Sequence, residues 1–173
     1  MGAESDTLTK EPEGRAISEV AIRAPSTEDV EGLAALFSEM QRHYQRPVPD
    51  ETAVEAARLA CRPPVATFDP RVLVAVKDGR IVGSVVLNVT FPAYELTRAL
   101  YIRDLYVSAS ARRTGVARAL VNAAAQLTYS AGYSALDWTT EATNDAAHKM
   151  YESCGARLLP RIYYRLARED LAA

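Results

Sequence analysis

Residues 101–117 read YIRDLYVSASARRTGVA, and this stretch decides the fold. Its first seven residues are aromatic or aliphatic apart from Arg103 and Asp104, which is typical of a largely buried β-strand. A turn that contains Gly115 follows, and a helical pattern of apolar residues then continues to about residue 130. A strand that leads through a turn directly into a long helix predicts a domain of the α/β or α+β class.

The turn and the helix start have the features of an anion-binding site. The first N–H groups of a helix have no partner within it and lie at the positive end of its dipole. Gly115 and Ala117 are small enough to let an anion approach the backbone, Arg112 and Arg113 add charge, and Thr114 adds a hydroxyl donor. The alternative is an arginine-containing loop that needs glycine only for its turn. The predicted pyrophosphate site consists of Arg112, Arg113, Thr114, Gly115, Val116 and Ala117.

Periodicity extends the prediction outward in both directions from this stretch. Alternating or continuous apolar runs predict strands at 20–23, 72–76, 81–89, 99–107, 135–140 and 161–167. Apolar residues at helical spacing predict helices that open at Ser26 and that cover 50–61, 115–130 and 146–154. Residues 1–19 lack such a pattern, so we expect a disordered leader followed by one domain over residues 20–173.

Composition excludes several classes of protein. The 173 residues carry a formal net charge of -2, which does not support nucleic-acid binding, and mixed charges give no basic face for a membrane surface. The sequence contains neither a signal peptide nor an apolar stretch typical of a membrane span. Cys61 and Cys154 are too few for a disulfide framework, so we expect reduced thiols and a cytoplasmic location.

The common motifs of cofactor and metal sites are missing from the sequence. It contains no GxGxxG, GxxxxGK[ST], GxSxG, HExxH or CxxC pattern. His43 and His148 are the only histidines, and neither stands at ligand spacing from another histidine or a cysteine. We therefore predict no metal site, no nicotinamide site and no serine-hydrolase site.

Two motifs give the sequence a resemblance to a known family. RRTGVA at 112–117 resembles the [Q/R]-x-x-G-x-[G/A] signature of the GNAT superfamily of N-acetyltransferases, and it lies between a strand and a long helix as that family requires. Asn144, Ala147, Tyr151 and Gly155 fit a second signature, N-x-x-A-x-x-x-Y-x-x-x-G. The resemblance covers residues 20–167. The segments FPAYELTRALYIRDLYV and LDWTTEATN look like the branch of small histone, polyamine and other amine acetyltransferases.

The resemblance implies a fold and a cofactor. The fold would be a mixed, mostly antiparallel sheet flanked by helices, with two central strands splayed apart to hold acetyl-CoA. Backbone groups of Leu105, Tyr106 and Val107 would pair with the pantetheine arm, and Asn144 would hydrogen-bond the pantetheine or its neighbouring backbone. Residues 112–117 would hold the pyrophosphate. A homodimer is expected, because splayed strand edges often pair across a dimer in this family.

The implied activity is acetyl transfer from acetyl-CoA to a primary amine, of a small molecule or a peptide, by direct attack in a ternary complex. Tyr151 matches the general acid of the family, with a packing residue as the alternative. Some relatives carry a glutamate where this chain has Tyr101 or Arg103, which puts a direct base there in doubt. Asp104 could instead hold the ammonium group or take its proton through water, or it could be a structural acid paired with an arginine. Glu141 is a second candidate base.

The remaining candidates concern the acceptor pocket. Glu39, Tyr44 and Glu95 could recognise an amine, and His43 could titrate near neutral pH. The tyrosines expected to form pocket walls are Tyr94, Tyr163 and Tyr164, whereas Trp138 is expected in the core. Nothing in the sequence would activate Cys154, so an acyl-enzyme is not expected. A non-catalytic CoA-binding sensor and a plain interaction domain remain as alternatives to the enzyme.

Overall fold

The computed structural model describes residues 19–172 of the chain. The predicted disordered leader therefore lies outside the described residues, apart from Glu19. The strands are β1 (Ala21–Arg23), β2 (Arg71–Lys77), β3 (Arg80–Thr90), β4 (Ala99–Val107) and β5 (Leu136–Asp137). The α-helices are α1 (Val30–His43), α2 (Asp50–Ala60), α3 (Val116–Ser130) and α4 (Asp145–Ser153). Four short 3-10 segments complete the described elements, at Thr27–Asp29, Tyr94–Leu96, Ala109–Ala111 and Arg168–Ala172.

The strands form one five-stranded sheet in the order β1-β2-β3-β4-β5. The first three pairings are antiparallel, and β4 pairs with β5 in parallel. β2 and β3, which match the strands predicted at 72–76 and 81–89, form a hairpin with Asp78 and Gly79 both at positive φ in its turn, as two-residue hairpin loops require. The predicted fold class, a mixed and mostly antiparallel sheet flanked by helices, is confirmed.

Apolar side chains on the two faces of the sheet form two cores. Helices α1 and α2 cover one face, where Leu33, Ala57 and Val74 are fully buried. Helix α3 covers the other face, where Val85 and Leu120 are fully buried. The apolar faces of the helices match the alternating apolar residues of the strands, and together they fix which strand residues face which helix.

Strands β4 and β5 separate soon after they meet. Their ladder contains two residue pairs, Leu100 with Leu136 and Tyr101 with Asp137. From Ile102 onward, β4 pairs with β3 on one side and has no strand on the other among the described residues. An open strand edge is therefore created in the centre of the sheet, as the resemblance implied.

A β-bulge changes the alternation of β4 at its centre. Val86 pairs with Asp104 and Leu87 pairs with Ile102, so Arg103 is an extra residue in the ladder. Arg103 and Asp104 consequently line the same cavity beside α1 and α2, although simple alternation predicts opposite faces. Leu105 packs toward α3, so Asp104 and Leu105 lie on opposite faces of the sheet, as alternation along a strand requires.

The C-terminal part of the fold differs from the prediction in two respects. The predicted strand at 161–167 is wrong: the segment has no ladder, and the side chains of Ile162, Tyr164 and Leu166 are 80%, 86% and 71% exposed. The strand predicted at 135–140 is limited to β5. A strand exists only where a neighbouring edge pairs with it, and the two residues of β5 offer almost no edge.

Helix boundaries differ from the predicted ones by about one residue. Gly115 is the N-cap of α3, with φ of 87°, and not its first residue. Helix α4 begins at Asp145 because the side chain of Asn144 caps it, accepting a hydrogen bond from the Ala147 N–H (3.2 Å).

Candidate active site

The loop between β4 and α3 presents a series of unpaired backbone donors. No backbone N–H from residue 112 to residue 117 makes a well-formed hydrogen bond within the described part of the chain. Arg113 and Gly115 both have positive φ, at 65° and 87°, which turns the chain so that successive N–H groups can face outward. Residues 112–115 are exposed, and a Cβ on Gly115 would meet no atom within 4 Å. Glycine is therefore favoured there by its conformation and not by lack of space.

Arg112 joins this loop to the open edge of β4. Its Nε donates to the carbonyl oxygen of Val107 at 3.2 Å, and its guanidinium lies over the Tyr106 ring at 5.5 Å from the centroid. Because the Ser108 N–H bonds to Val82 on β3, alternation directs the backbone groups of Tyr106 to β3 as well. The backbone groups of Leu105 and Val107 then face the open edge. Leu105 and Val107 are thus the two predicted pantetheine partners whose backbone groups face the open edge, whereas those of Tyr106, the third, pair with β3.

A large cavity lies beside the diverging strands and contains Tyr151. Its volume is about 600 Å³, and its walls come from β4, β5, α4 and residues 156–163. The Tyr151 ring packs against Trp138 with centroids 5.0 Å apart, while its hydroxyl makes no hydrogen bond to any described residue. The hydroxyl is thus free to donate a proton to a bound molecule.

A second cavity, of about 280 Å³, lies between α1, α2 and the bulge of β4. Asp104 lines it, and the Oδ2 atom of Asp104 is buried with no hydrogen-bond partner among the described residues. Burial raises the pKa of Asp104, against the opposing effects of the Arg103 charge and of the Leu105 N–H. The negative charge of the Asp104 carboxylate is therefore poorly compensated, and no arginine forms an ion pair with it in the described structure.

Asp104 and Tyr151 belong to one electrostatic environment. Burial raises the pKa of Tyr151, and the charges of Tyr44 and Asp104 raise it further. Burial and the charge of Asp104 likewise raise the pKa of Tyr44. Arg103 lines both cavities, so the two cavities adjoin at the bulge. Of the two predicted catalytic residues, Asp104 lines the smaller cavity and Tyr151 the larger one.

Glu39 has a different role from the amine recognition that we predicted. Its carboxylate accepts hydrogen bonds from Tyr106 Oη (3.1 Å), Ser108 Oγ (2.9 Å) and the Ala109 N–H (2.8 Å). Burial alone would raise the pKa of Glu39, but these three donors and the charge of Arg112 together lower it. Glu39 therefore fixes α1 to the end of β4 and to the start of the anion-binding loop.

Most of the other predicted candidates lie away from the two cavities. Asn144 caps α4, and Glu141 and Glu95 are exposed. His43 is also exposed, with its ring 5.9 Å from that of Tyr106. Tyr94 and Tyr164 are exposed, whereas Tyr163 lines the larger cavity. Cys154 contacts Met150 through sulfur (3.8 Å).

Sequence reasoning missed two features of the site. Trp138, expected only in the core, also lines the larger cavity against Tyr151. The smaller cavity uses Phe37 and Met40, which the helical pattern marks only as apolar positions, and Val48 of the segment between α1 and α2. A pattern reports that a face is apolar, but it does not report that a gap is left beneath that face.

Two kinds of feature are absent from residues 19–172. No group of three or more His, Cys, Asp or Glu side chains is placed to hold a metal ion. None of the helices in this range is both long enough and apolar enough to cross a membrane.

The fold and the site define a class of transferase in which an open strand edge and an anion-binding loop hold a phosphate-bearing donor. The model of the acetyltransferase (GNAT) family matches residues 33–156, more than two thirds of the chain. The chain belongs to this family and is an acetyl-CoA-dependent N-acetyltransferase.

Individual relatives agree with this assignment. The chain is 26% identical over 134 residues to the uncharacterized N-acetyltransferase YhfO of Bacillus subtilis (strain 168), which covers 78% of this chain and 87% of that protein. An integron cassette protein from the mobile metagenome of V. cholerae has a similar structure, with a TM-score of 0.74, 29% identity and coverage of 88% and 95%. A probable acetyltransferase of known structure gives a TM-score of 0.73, 25% identity and coverage of 86% and 97%.

Proposed function

We propose that the protein transfers the acetyl group of acetyl-CoA to a primary amine by direct attack in a ternary complex. One observation carries this proposal: two cavities adjoin at the β4 bulge, with Asp104 in one and Tyr151 in the other. A donor and an acceptor could therefore occupy separate cavities and meet between these two side chains. This arrangement favours proximity of two substrates over a covalent enzyme intermediate.

The residues present fit acetyl-CoA. Its pyrophosphate would be held by the free N–H groups of residues 112–117 and by the charges of Arg112 and Arg113. The Thr114 hydroxyl, which the sequence suggested as a further donor, instead donates its proton to the carbonyl oxygen of Ala111 (2.7 Å). Its pantetheine arm would be held by the backbone of Leu105 and Val107 at the open edge. Acetyl-CoA supplies an acetyl group activated as a thioester. The Nδ2 group of Asn144 remains available as a further donor, although Oδ1 is used in capping.

Asp104 is proposed as the group that holds the amine and accepts its proton. The amine arrives as a cation, and an unpaired carboxylate in a low-dielectric cavity attracts it strongly. The raised pKa of Asp104 brings its basicity closer to that of the amine, so that proton transfer to Oδ1 or through a water is easier than to an exposed aspartate.

Tyr151 is proposed as the general acid. Its raised pKa keeps the phenol protonated at neutral pH, and its hydroxyl has no partner to hold its proton elsewhere. Tyr151 Oη would give this proton to the departing sulfur and regain one as the acylated nitrogen loses its own.

The test is thiol release on mixing the full chain with acetyl-CoA and a panel of primary amines, with the products identified by mass. We expect N-acetylated product in equal amount to the thiol. Tight binding of acetyl-CoA without turnover of any amine would instead support a non-catalytic CoA-binding protein, and absence of acetyl-CoA binding would support a plain interaction domain.

The amine class, assembly and location are parts of the same proposal. Proteins with a similar fold include acetyltransferases named for aminoglycosides and for the alanine of a ribosomal protein, which supports an amine acceptor without selecting one or confirming a branch of the family. A homodimer is supported by the exposed apolar side chains of residues 158–166, and sedimentation of the purified chain would test it.

A cytoplasmic location is supported by the unpaired thiols of Cys61 and Cys154.

A further inference from the structure

We infer that the acceptor is a primary amine on a compact apolar body, such as an alkylamine or arylalkylamine, and that a polyhydroxylated or polycationic amine is a poor substrate. This inference rests on the proposed function and names the substrate class of the same site. It is drawn from the residues that line the smaller cavity.

The surface of the smaller cavity is mostly apolar. Its apolar lining residues are Phe37, Met40, Val48, Ala53, Ala56 and Val86, and Gln41 and Thr52 complete the lining together with Arg103 and Asp104. An amino sugar placed there would lose the hydration of several hydroxyl groups and would find few replacement partners. An alkyl or aryl group has no hydroxyl hydration to lose, and its transfer from water into an apolar cavity is favourable.

The charge in the cavity determines which end of the molecule enters first. Asp104 is the acidic residue of the lining, and its Oδ2 has no hydrogen-bond partner within residues 19–172. A single ammonium group would supply the missing countercharge. A second ammonium of a polyamine would face the apolar wall or Arg103, which would repel it.

The size of the cavity restricts the body of the amine. About 280 Å³ is at the lower end of the range of ligand pockets, roughly 300–1,000 Å³. Helices α1 and α2 and the segment between them form one side of the cavity, and Val86, Arg103 and Asp104 of the sheet close the other side. The cavity therefore suits one ring or a short chain.

The test is a calorimetric titration of the full chain, without acetyl-CoA, at about pH 7, where the alkylamine and most of the amino sugar are cations. The probes are 2-phenylethylamine, the uncharged 2-phenylethanol and glucosamine. We expect 2-phenylethylamine to bind at least tenfold more tightly than either of the other two. Equal or tighter binding of glucosamine would overturn the inference.

Two variants locate the binding. Met40→Gln adds a polar group to the wall, and we expect it to weaken binding of 2-phenylethylamine about tenfold, a loss typical of a changed apolar contact. Leu59→Gln is the matched control, because Leu59 is 53% exposed on α2 and does not line the cavity. Equal effects of the two substitutions would contradict the assigned cavity.

Thiol release separates this inference from the proposed function. If amines of every class are inert, the proposed function fails; if glucosamine or putrescine is acetylated faster than 2-phenylethylamine, the function stands and the assigned substrate class fails. Preferential acetylation of 2-phenylethylamine that Met40→Gln reduces and Leu59→Gln does not would support both.

Discussion

At the scale of single residues, Asp104 shows a conflict between stability and the proposed function. A buried carboxylate without a hydrogen-bond partner at one oxygen destabilises the folded chain, yet that same deficit of countercharge would attract a cationic substrate. The sequence identified Tyr151 from its motif and Asp104 as the acidic residue of the central strand. It could not show that Arg103 is an extra residue in the ladder, because a bulge depends on the partner strand.

Replacing Asp104 with asparagine is expected to stabilise the protein at neutral pH by on the order of 1 kcal/mol, because it removes a poorly compensated buried charge. Burial raises the pKa of Asp104 above 3.8, so the folded chain binds its proton more tightly than the unfolded chain does. The wild-type residue thus loses stability as the pH rises above 3.8 through the folded-state pKa. Denaturant unfolding of both proteins should show a difference that disappears below that range; a difference independent of pH would contradict this account.

Replacing Tyr151 with phenylalanine is expected to lower kcat by about 10²-fold, the lower end of the usual contribution of a general acid. Because the ring packing against Trp138 is retained, the KM for acetyl-CoA and the unfolding midpoint should remain unchanged. Steady-state kinetics check this, with Tyr129→Phe as the matched control, since Tyr129 is 88% exposed on α3. Full turnover of the Tyr151 variant would exclude it as the acid.

At the scale of elements, periodicity predicted the strands and helices that pack on a core. The pattern of 99–107 became β4, and the pattern after Gly115 became α3. It failed at 161–167, where alternation of large side chains suggested a strand. Alternation describes two faces but supplies no partner edge, and β5 is too short to provide one.

The hydrogen bonds that join Glu39 on α1 to the anion-binding loop could not be predicted from the sequence either, because Glu39 is 70 positions from Ala109. We expect Glu39→Gln to raise the KM for acetyl-CoA several-fold while kcat changes little, since a positioning residue of the loop is weakened. Glu31→Gln is the control, because Glu31 is exposed on the same helix. A fall in kcat at unchanged KM would show that Glu39 acts on the chemical step.

The charge of the loop can be tested by reversal. Arg112→Glu should weaken acetyl-CoA binding at least tenfold in a calorimetric titration, because it replaces attraction of the pyrophosphate with repulsion. Arg62→Glu makes the same change in net charge at an exposed position outside both cavities and should have little effect. Equal losses in the two variants would indicate a general charge effect instead of a local site.

At the scale of the whole molecule, a chain of net charge -2 carries a small basic anion site at one end of β4 and a buried acid at its centre. In the proposed ternary complex, these two sites would bind the two substrates. Initial rates measured against both substrates should therefore give intersecting double-reciprocal lines. Parallel lines would indicate an acyl-enzyme, and Cys154 would then need to be reconsidered.

The rate of thiol release by the full chain with acetyl-CoA and 2-phenylethylamine tests the proposed acetyl transfer more directly than any other measurement. We expect saturable release, matched by N-acetylated amine and dependent on both Asp104 and Tyr151. Binding of acetyl-CoA with no release above the background for any primary amine would contradict it.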